Sequence, residues 1–302
     1  MQISTSRLFD RASSQMTNIQ NDLAKSQSQI GTQKQVLNPS DAPDQAAAIS
    51  RLKSVISRQD NYAKALDTVQ ARLDAESTTL TSAGDILVRI KELTIQASNG
   101  TQGTVSRLAI ATEMKGLRDQ LVSLGNSTDP SGNYIFSGSR VKSPACKTNT
   151  NGSISYQGDQ TKMSIPIGDQ RAIPINRPAT TAFVPVVRNG AGVSFFDSID
   201  SLIAGIKGGD SSVMQRGLTE MDTLHNGIVL AQAQAGTDMK VVEQQGAIID
   251  DTKLSLKTAL SKIEDLDMAT AITNMQKLML SLEAAQSSFA KTSQLSLFKY
   301  LG

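Results

Sequence analysis

Residues 9–30 read FDRASSQMTNIQNDLAKSQSQI, and residues 268–289 read MATAITNMQKLMLSLEAAQSSF. Each stretch places apolar side chains at alternating steps of three and four, with one polar member, Ser26 in the first and Gln286 in the second. Such steps form one narrow apolar seam along a helix. Because a single seam is not covered in water, we expect these two, of matching length and at opposite ends of the chain, to cover each other.

The seam residues of the two stretches form the candidate site of this chain. We predict an assembly interface made by Phe9, Met16, Ile19, Leu23, Ile30, Met268, Ile272, Met275, Met279, Leu282 and Phe289. Isolated helices of about 22 residues with so few strong helix formers are marginal in water. We therefore expect the terminal segments to be loose in the monomer and to order when neighbouring subunits cover them.

Two breaks separate these stretches from the rest of the chain. Residues 38–44 read NPSDAPD, where two prolines end an incoming helix and Ser40 or Asp41 can cap the next one. On the other side, a heptad series ends at Ile263, and the next seam position, Met268, follows after only five residues. Both breaks divide a long central region from a short terminal segment.

The central region has heptad repeats of its own. Between the first break and Asn99, apolar residues recur at two heptad positions, with Glu76 as a gap, which predicts one helix of about 55 residues and about 80 Å. A second helix is predicted over residues 104–124. Apolar residues spaced by seven from Ile228 to Ile263 predict a long returning helix. We interpret these repeats as the core that holds the central region together.

The middle of the chain has a different pattern. The pairs Ile154/Tyr156 and Ile165/Ile167 alternate with polar residues on either side of a possible turn at Gly158–Asp159. Alternation around a turn predicts a β-hairpin. Helix is expected to resume near Asp197, which is a good capping residue.

The sequence therefore predicts a mainly α-helical chain. Its N- and C-terminal parts form a long antiparallel, coiled-coil-like rod, with a small β domain inserted. The predicted ranges are 1–40 and 266–302 for a terminal coiled-coil assembly domain, 41–140 and 193–265 for a helical rod domain, and 141–192 for the inserted β domain.

The composition argues against most other classes of function. Thirty basic and 28 acidic residues are mixed along the chain, so no basic block favours nucleic-acid binding. No window approaches the roughly 18 apolar residues of a membrane span. His225 and Cys146 are the only residues of their types and fit neither a catalytic triad nor a metal site. We predict no enzymatic activity, no cofactor, no nucleic-acid partner and no membrane insertion.

The chain resembles the bacterial flagellin family of axial proteins over nearly its whole length. The segments that carry the resemblance are MQIST (1–5), VLNPSDAP (36–43), IKELTIQASNGT (90–101), GLRDQL (116–121), GNYIFSG (132–138) and LSLFKYL (295–301). The NPSD form of the early loop and the last three segments are similar to the family members that join the hook to the filament.

The resemblance implies a structural axial protein that joins the hook side to the flagellin filament through self-assembly of its terminal helices. The implied partners are like subunits in a helical ring, a neighbouring hook-associated junction protein, flagellin on the filament side and a cytoplasmic export chaperone. The residues implied to bind the chaperone are Met279, Leu282, Phe289, Leu295, Leu297 and Phe298.

The resemblance also implies a location. The chain would leave the cell through the flagellar type III channel, without a cleavable signal peptide, and reside in the extracellular flagellum at the hook–filament junction. Two alternatives remain open at this point. The chain could be a short flagellin that forms the filament itself, or a cytoplasmic coiled-coil scaffold.

Overall fold

The structure, a computed structural model, describes residues 2–100 and 102–301, and the side chains of residues 7, 9–100 and 102–291. Within these residues the chain is mainly helical, as predicted. The helices are α1 (Gln2–Thr32), α2 (Pro43–Ser98), α3 (Thr104–Gly125), α4 (Ala179–Ala182), α5 (Phe195–Gly208), α6 (Ser211–Glu264) and α7 (Met268–Leu301). Both predicted breaks are confirmed, since α1 ends before the proline loop and α6 and α7 are separate helices. None of the helices, over the described residues, is long and apolar enough to cross a membrane.

The chain divides into two compact units. A terminal unit contains Met1–Arg58 and Asp251–Gly302, and a central unit contains Gln59–Asp250. The long helices α2 and α6 contribute residues to both units. The predicted ranges of the three domains stay a prediction.

In the central unit, α2 and α6 run antiparallel. Lys91 forms an ion pair with Asp222 at 2.5 Å, and Gln232 donates to the hydroxyl of Thr81 at 3.0 Å, so residue numbers rise along one helix as they fall along the other. The heptad leucines Leu80 and Leu87 of α2 are fully buried in the core of this unit. The antiparallel arrangement predicted from the repeats is therefore confirmed.

The short strands form three separate two-stranded antiparallel sheets. The pairs are β1 (Cys146–Thr148) with β2 (Ile154–Tyr156), β3 (Ser164–Pro166) with β4 (Ala172–Pro174), and β5 (Val186–Arg188) with β6 (Ala191–Val193). The central partners in register are Lys147 with Ser155, Ile165 with Ile173, and Val187 with Gly192.

The predicted hairpin between Ile154/Tyr156 and Ile165/Ile167 is wrong. The segment after β2 does not fold back on itself, because it is bonded to an earlier loop. The carboxylate of Asp159 accepts from the hydroxyl of Ser139 and from the backbone N–H groups of Ser139 at 2.8 Å and Thr161 at 3.0 Å. These bonds, that of the Ser139 hydroxyl first, lower the pKa of Asp159 to about 2. The Tyr156 hydroxyl donates to the Asp159 carbonyl at 2.8 Å. Instead, β2 pairs with β1, which precedes it, and β3 pairs with β4.

Helix α5 begins three residues earlier than predicted. Ser194, and not Asp197, is the capping residue, and its side chain accepts from the backbone N–H of Asp197 at 3.1 Å. The helix ends at Gly209, whose φ of 73° is the left-handed conformation that glycine adopts at little cost. The long C-terminal helical stretch therefore starts with two helices, α5 and α6, joined by a short turn.

Two buried arginines explain the gap in the heptad repeat of α2. Glu76 is almost fully buried because Arg177 pairs with it at 2.5 Å. One turn earlier, Arg72 pairs with Asp129 at 2.8 Å and donates to the carbonyl of Ile135 at 3.2 Å. The buried face of α2 thus carries both apolar side chains and charged ones. The charged side chains form ion pairs with residues that lie between α3 and α5 in the sequence.

Candidate assembly interface

Helices α1 and α7 pack against each other in the terminal unit. The five predicted residues of α1, Phe9, Met16, Ile19, Leu23 and Ile30, are all half-buried, whereas most of their neighbours are exposed. The polar member of the seam, Ser26, is buried as well. The structure thus brings the whole predicted stripe of α1 onto one face.

The inward face of α7 differs in part from the predicted stripe. Its buried and half-buried residues, again at steps of three and four, are Met268, Ala271, Met275, Leu278, Leu282, Ala285 and Phe289. The predicted residues Ile272 and Met279 lie outward, with 39% and 51% of their surface exposed. Sequence reasoning missed Ala271, Leu278 and Ala285, because alternating steps from Met268 fit the sequence whether the first step is three or four.

One aromatic contact joins the first part of α1 to the later part of α7. The rings of Phe9 and Phe289 meet edge to face, with centroids 5.3 Å apart and planes at 89°. Such pairs contribute about 0.5–1.5 kcal/mol beyond the apolar area they bury. Since Phe9 is near the start of α1 and Phe289 is in the later part of α7, the pair is antiparallel.

The helix pair is incompletely packed along its length. A cavity of about 480 Å³ opens beside the aromatic contact, and it is lined on α7 by the small side chains of Ser281, Ala284, Ala285 and Ser288. A second opening of about 470 Å³ lies beside Leu23, Met279 and Leu280. Leu280 is itself 69% exposed. A single subunit therefore leaves apolar surface uncovered along the pair.

The base of the pair is fixed by the last residue of α6. The carbonyl of Glu264 accepts from the backbone N–H of Gln35 at 2.8 Å, and Leu266 donates to the carbonyl of Gln33 at 3.0 Å. The carboxylate of Glu264 is largely buried and pairs with Lys53 at 2.8 Å and Lys34 at 2.9 Å. Hydrogen bonds from these two ammonium groups, Lys53 first, lower the pKa of Glu264.

Helix α7 starts with a side-chain cap. The carboxylate of Asp267 accepts from the hydroxyl of Thr270 at 2.8 Å and from the backbone N–H of Ala269 at 3.0 Å, and the bonds to Thr270 contribute most to lowering its pKa. A carboxylate at this position is stabilising because it satisfies unpaired helix N–H groups. The interruption after Glu264 is therefore a defined start of a new helix.

The residues implied to bind a chaperone divide into two groups. Leu282 and Phe289 are on the inward face of α7, and Met279 is outward. The side chains of Leu295, Leu297 and Phe298 lie outside the described residues.

The two residues considered for chemistry lie in the central unit. Cys146 is the first residue of β1, and burial raises the pKa of its thiol to about 11. His225 is half-buried on α6 beside Gly84 of α2. Across the described residues, no group of three His, Cys, Asp or Glu side chains is placed to hold a metal ion.

Comparison with known proteins identifies the relatives of this chain. Residues 3–141 match the bacterial flagellin N-terminal helical region, and residues 218–301 match the C-terminal helical region. The chain is 25% identical to flagellar hook-associated protein 3 of Salmonella typhimurium, over 99% of each chain.

Solved structures of similar fold come from the same group of proteins. Flagellar hook-associated protein 3 of Legionella pneumophila has a TM-score of 0.64 at 16% identity, covering 71% of this chain and 98% of its own. FlgL of Xanthomonas campestris has a TM-score of 0.62 at 19% identity, covering 70% and 99%. With both terminal helical regions matched and hook-associated protein 3 similar over its full length, this chain belongs to the bacterial flagellin family.

Proposed function

We propose that this chain is a structural axial protein of the flagellum that joins the hook side to the flagellin filament through self-assembly of its terminal helices. Membership of the flagellin family supports a structural role in the flagellum. The full-length similarity to a hook-associated protein favours the junction over the filament itself.

The observation that carries the assembly proposal is the incomplete cover of the α1–α7 pair. The outward face of α7 carries Ile272, Met279 and Leu280, and the pair has open cavities on its sides. By contrast, α1 has a polar outer face. Between Asp10 and Gln27, its side chains that face away from the seam are polar apart from Ala24. A contact between unlike faces of neighbouring copies forms a ring when its rotation closes and an open helical array when it does not.

The proposed partners follow from this position. Like subunits occupy a helical ring, a hook-associated junction protein lies on the hook side, and flagellin lies on the filament side. Before export through the type III channel, a cytoplasmic chaperone binds the apolar residues of α7. The chain then resides in the extracellular flagellum and acts as a connector, without enzymatic activity.

Deletion of the gene in its own bacterium tests the proposal. We expect bare hooks, with abundant unpolymerised flagellin in the medium, because export continues while the joint is missing. Bare hooks without flagellin in the medium would identify the chain as the flagellin. Normal flagella would contradict both assignments and favour a cytoplasmic scaffold.

A further inference from the structure

The β3–β4 hairpin covers a part of the central unit that has a small core of its own. This hairpin core contains residues from only α2, α6 and the hairpin. Its buried members are Leu66, Val69, Leu73, Ile167, Ile173, Val242 and Ile249. The main core of the unit, which includes α3 and α5, is a separate cluster. The hairpin is therefore what shields this stretch of the α2–α6 pair from water.

The hairpin has little stability of its own. Each strand has three residues, and an isolated two-stranded hairpin is at best marginal in water. Two of the six strand residues, Pro166 and Pro174, have no backbone N–H to donate. Its order must come from the surface on which it lies.

Buried polar groups hold the base of the hairpin. The Asn176 side chain accepts from the backbone N–H of Met163 at 2.5 Å and donates to the carbonyl of Thr161 at 3.0 Å. The next residue, Arg177, pairs with Glu76 of α2 at 2.5 Å and with Asp238 of α6. One guanidinium thus attaches the hairpin base to both long helices.

The tip of the hairpin is held more weakly. The Tyr62 hydroxyl donates to the carboxylate of Asp169 at 3.0 Å, and Arg171 donates to Gln245 at 3.4 Å. Asp169 and Arg171 are exposed, so water competes for both contacts. The hairpin is therefore bound firmly at one end and loosely at the other.

We propose that residues 163–175 form a strap that opens as a unit, by lifting from its tip while Arg177 keeps its base attached, and that α2 and α6 remain helical when it opens. The open strap exposes the apolar face made by Leu66, Leu73, Val242 and Ile249. The strap itself contributes only two buried apolar side chains, Ile167 and Ile173, to the hairpin core. Segments with few buried apolar contacts and exposed hydrogen bonds open below the global unfolding free energy, in cooperative units.

Amide hydrogen exchange on the full-length wild-type protein tests the strap directly. The reporter is the N–H group of Ile167 near the tip, which donates to the carbonyl of Arg171 at 2.8 Å. We expect it to exchange at least about 100-fold faster than amides of α2 around Leu87, as sub-global opening requires. Equal protection of strap and core would overturn the proposal.

Two variants separate strap opening from general destabilisation. Ile173→Ala should speed exchange of the strap amides by at least about 30-fold, from the loss of a buried side chain, and leave the amides around Leu87 unchanged. The matched control is Val187→Ala, since this β5 side chain is 77% exposed and outside the hairpin core. Equal acceleration of strap and core by Ile173→Ala would show that the hairpin opens only with the whole unit.

The role of the base is tested by Arg177→Met. If Arg177 is the attachment point, the amide of Met163 should exchange more slowly than that of Ile167 in the wild type. In the variant, the two amides should exchange equally fast. A Met163 amide already as fast as Ile167 in the wild type would contradict a base that stays attached. The wild-type comparison decides this point even if the variant does not fold.

Discussion

Replacing Met275 by aspartate is the sharpest test of the α1–α7 seam. Met275 is half-buried on the inward face of α7, so the change removes about 1 kcal/mol of apolar burial. Placing a carboxylate beside the seam costs about 1–2 kcal/mol more, and aspartate is a weaker helix former than methionine by about 0.5 kcal/mol. We expect a total loss of about 3 kcal/mol, enough to separate a pair held by one narrow seam.

Met279→Asp is the matched control, because it makes the same chemical change one turn away on the outward face. About half of the Met279 surface is already exposed, so the pair should lose little beyond helix propensity. Amide exchange of the purified variants should show lost protection in α1 and α7 for Met275→Asp and wild-type protection for Met279→Asp. Both variants should keep wild-type protection around Leu87 in the central unit.

Complementation of the deletion strain extends the test to function. We expect neither variant to restore filaments, for different reasons: Met275→Asp lacks a stable helix pair, and Met279→Asp has a pair that cannot contact a neighbour. Wild-type protection of α7 in Met275→Asp would refute the seam. Normal filaments on hooks, seen by microscopy of purified flagella, would remove the residue concerned from the assembly interface.

Three further predictions concern single side chains. The lowered pKa of Glu264 means that its contribution to stability is full above about pH 4.5 and is lost as the pH falls through the folded-state pKa. Glu264→Gln should lose about 1–2 kcal/mol of unfolding free energy at pH 7. In urea titrations, its stability should also fall less steeply than that of the wild type as the pH is lowered. Arg72→Met should cost about 3–5 kcal/mol, because it leaves the carboxylate of Asp129 buried without its partner, whereas Arg89→Met, on an exposed ion pair, should leave the denaturation midpoint unchanged. Gly205→Ala should lower the melting temperature, because an added Cβ would lie 2.4 Å from a methyl carbon of Val213. Gly236→Ala has open space and should gain up to about 1 kcal/mol in helix propensity. Equal melting temperatures for the two alanine variants would contradict the close packing of α5 on α6.

The helices could be predicted from sequence because each long element repeats its signal many times. The stripe of α1 was unambiguous, since its other face is almost entirely polar. In α7 apolar residues occupy two faces, so Ile272 and Met279 could be assigned to the seam in place of Ala271 and Leu278. Alanine gives a weak hydrophobic signal, although Ala271 is buried in the structure.

The middle of the chain was harder to predict for physical reasons. Strands of three residues hold too few alternations to define a partner, so the sequence did not show that β2 pairs with β1, six to ten residues before it. The gap at Glu76 was visible, but its partner Arg177 lies about 100 residues later in the sequence. Patterns of local period carry no information on such contacts.

The burial of Cys146 has a practical consequence for experiments. Only the thiolate of cysteine reacts with common labels, and with a pKa of about 11 roughly one molecule in ten thousand carries it at pH 7. The side chain is also enclosed, since Cys146 is only 5% exposed and its sulfur lies close to Gly125. A second cysteine introduced on the outward face of α7 would therefore be the only site to take up a fluorophore or spin label. Because Cys146 stays unlabelled, distances between labels on neighbouring subunits could be measured without first replacing it.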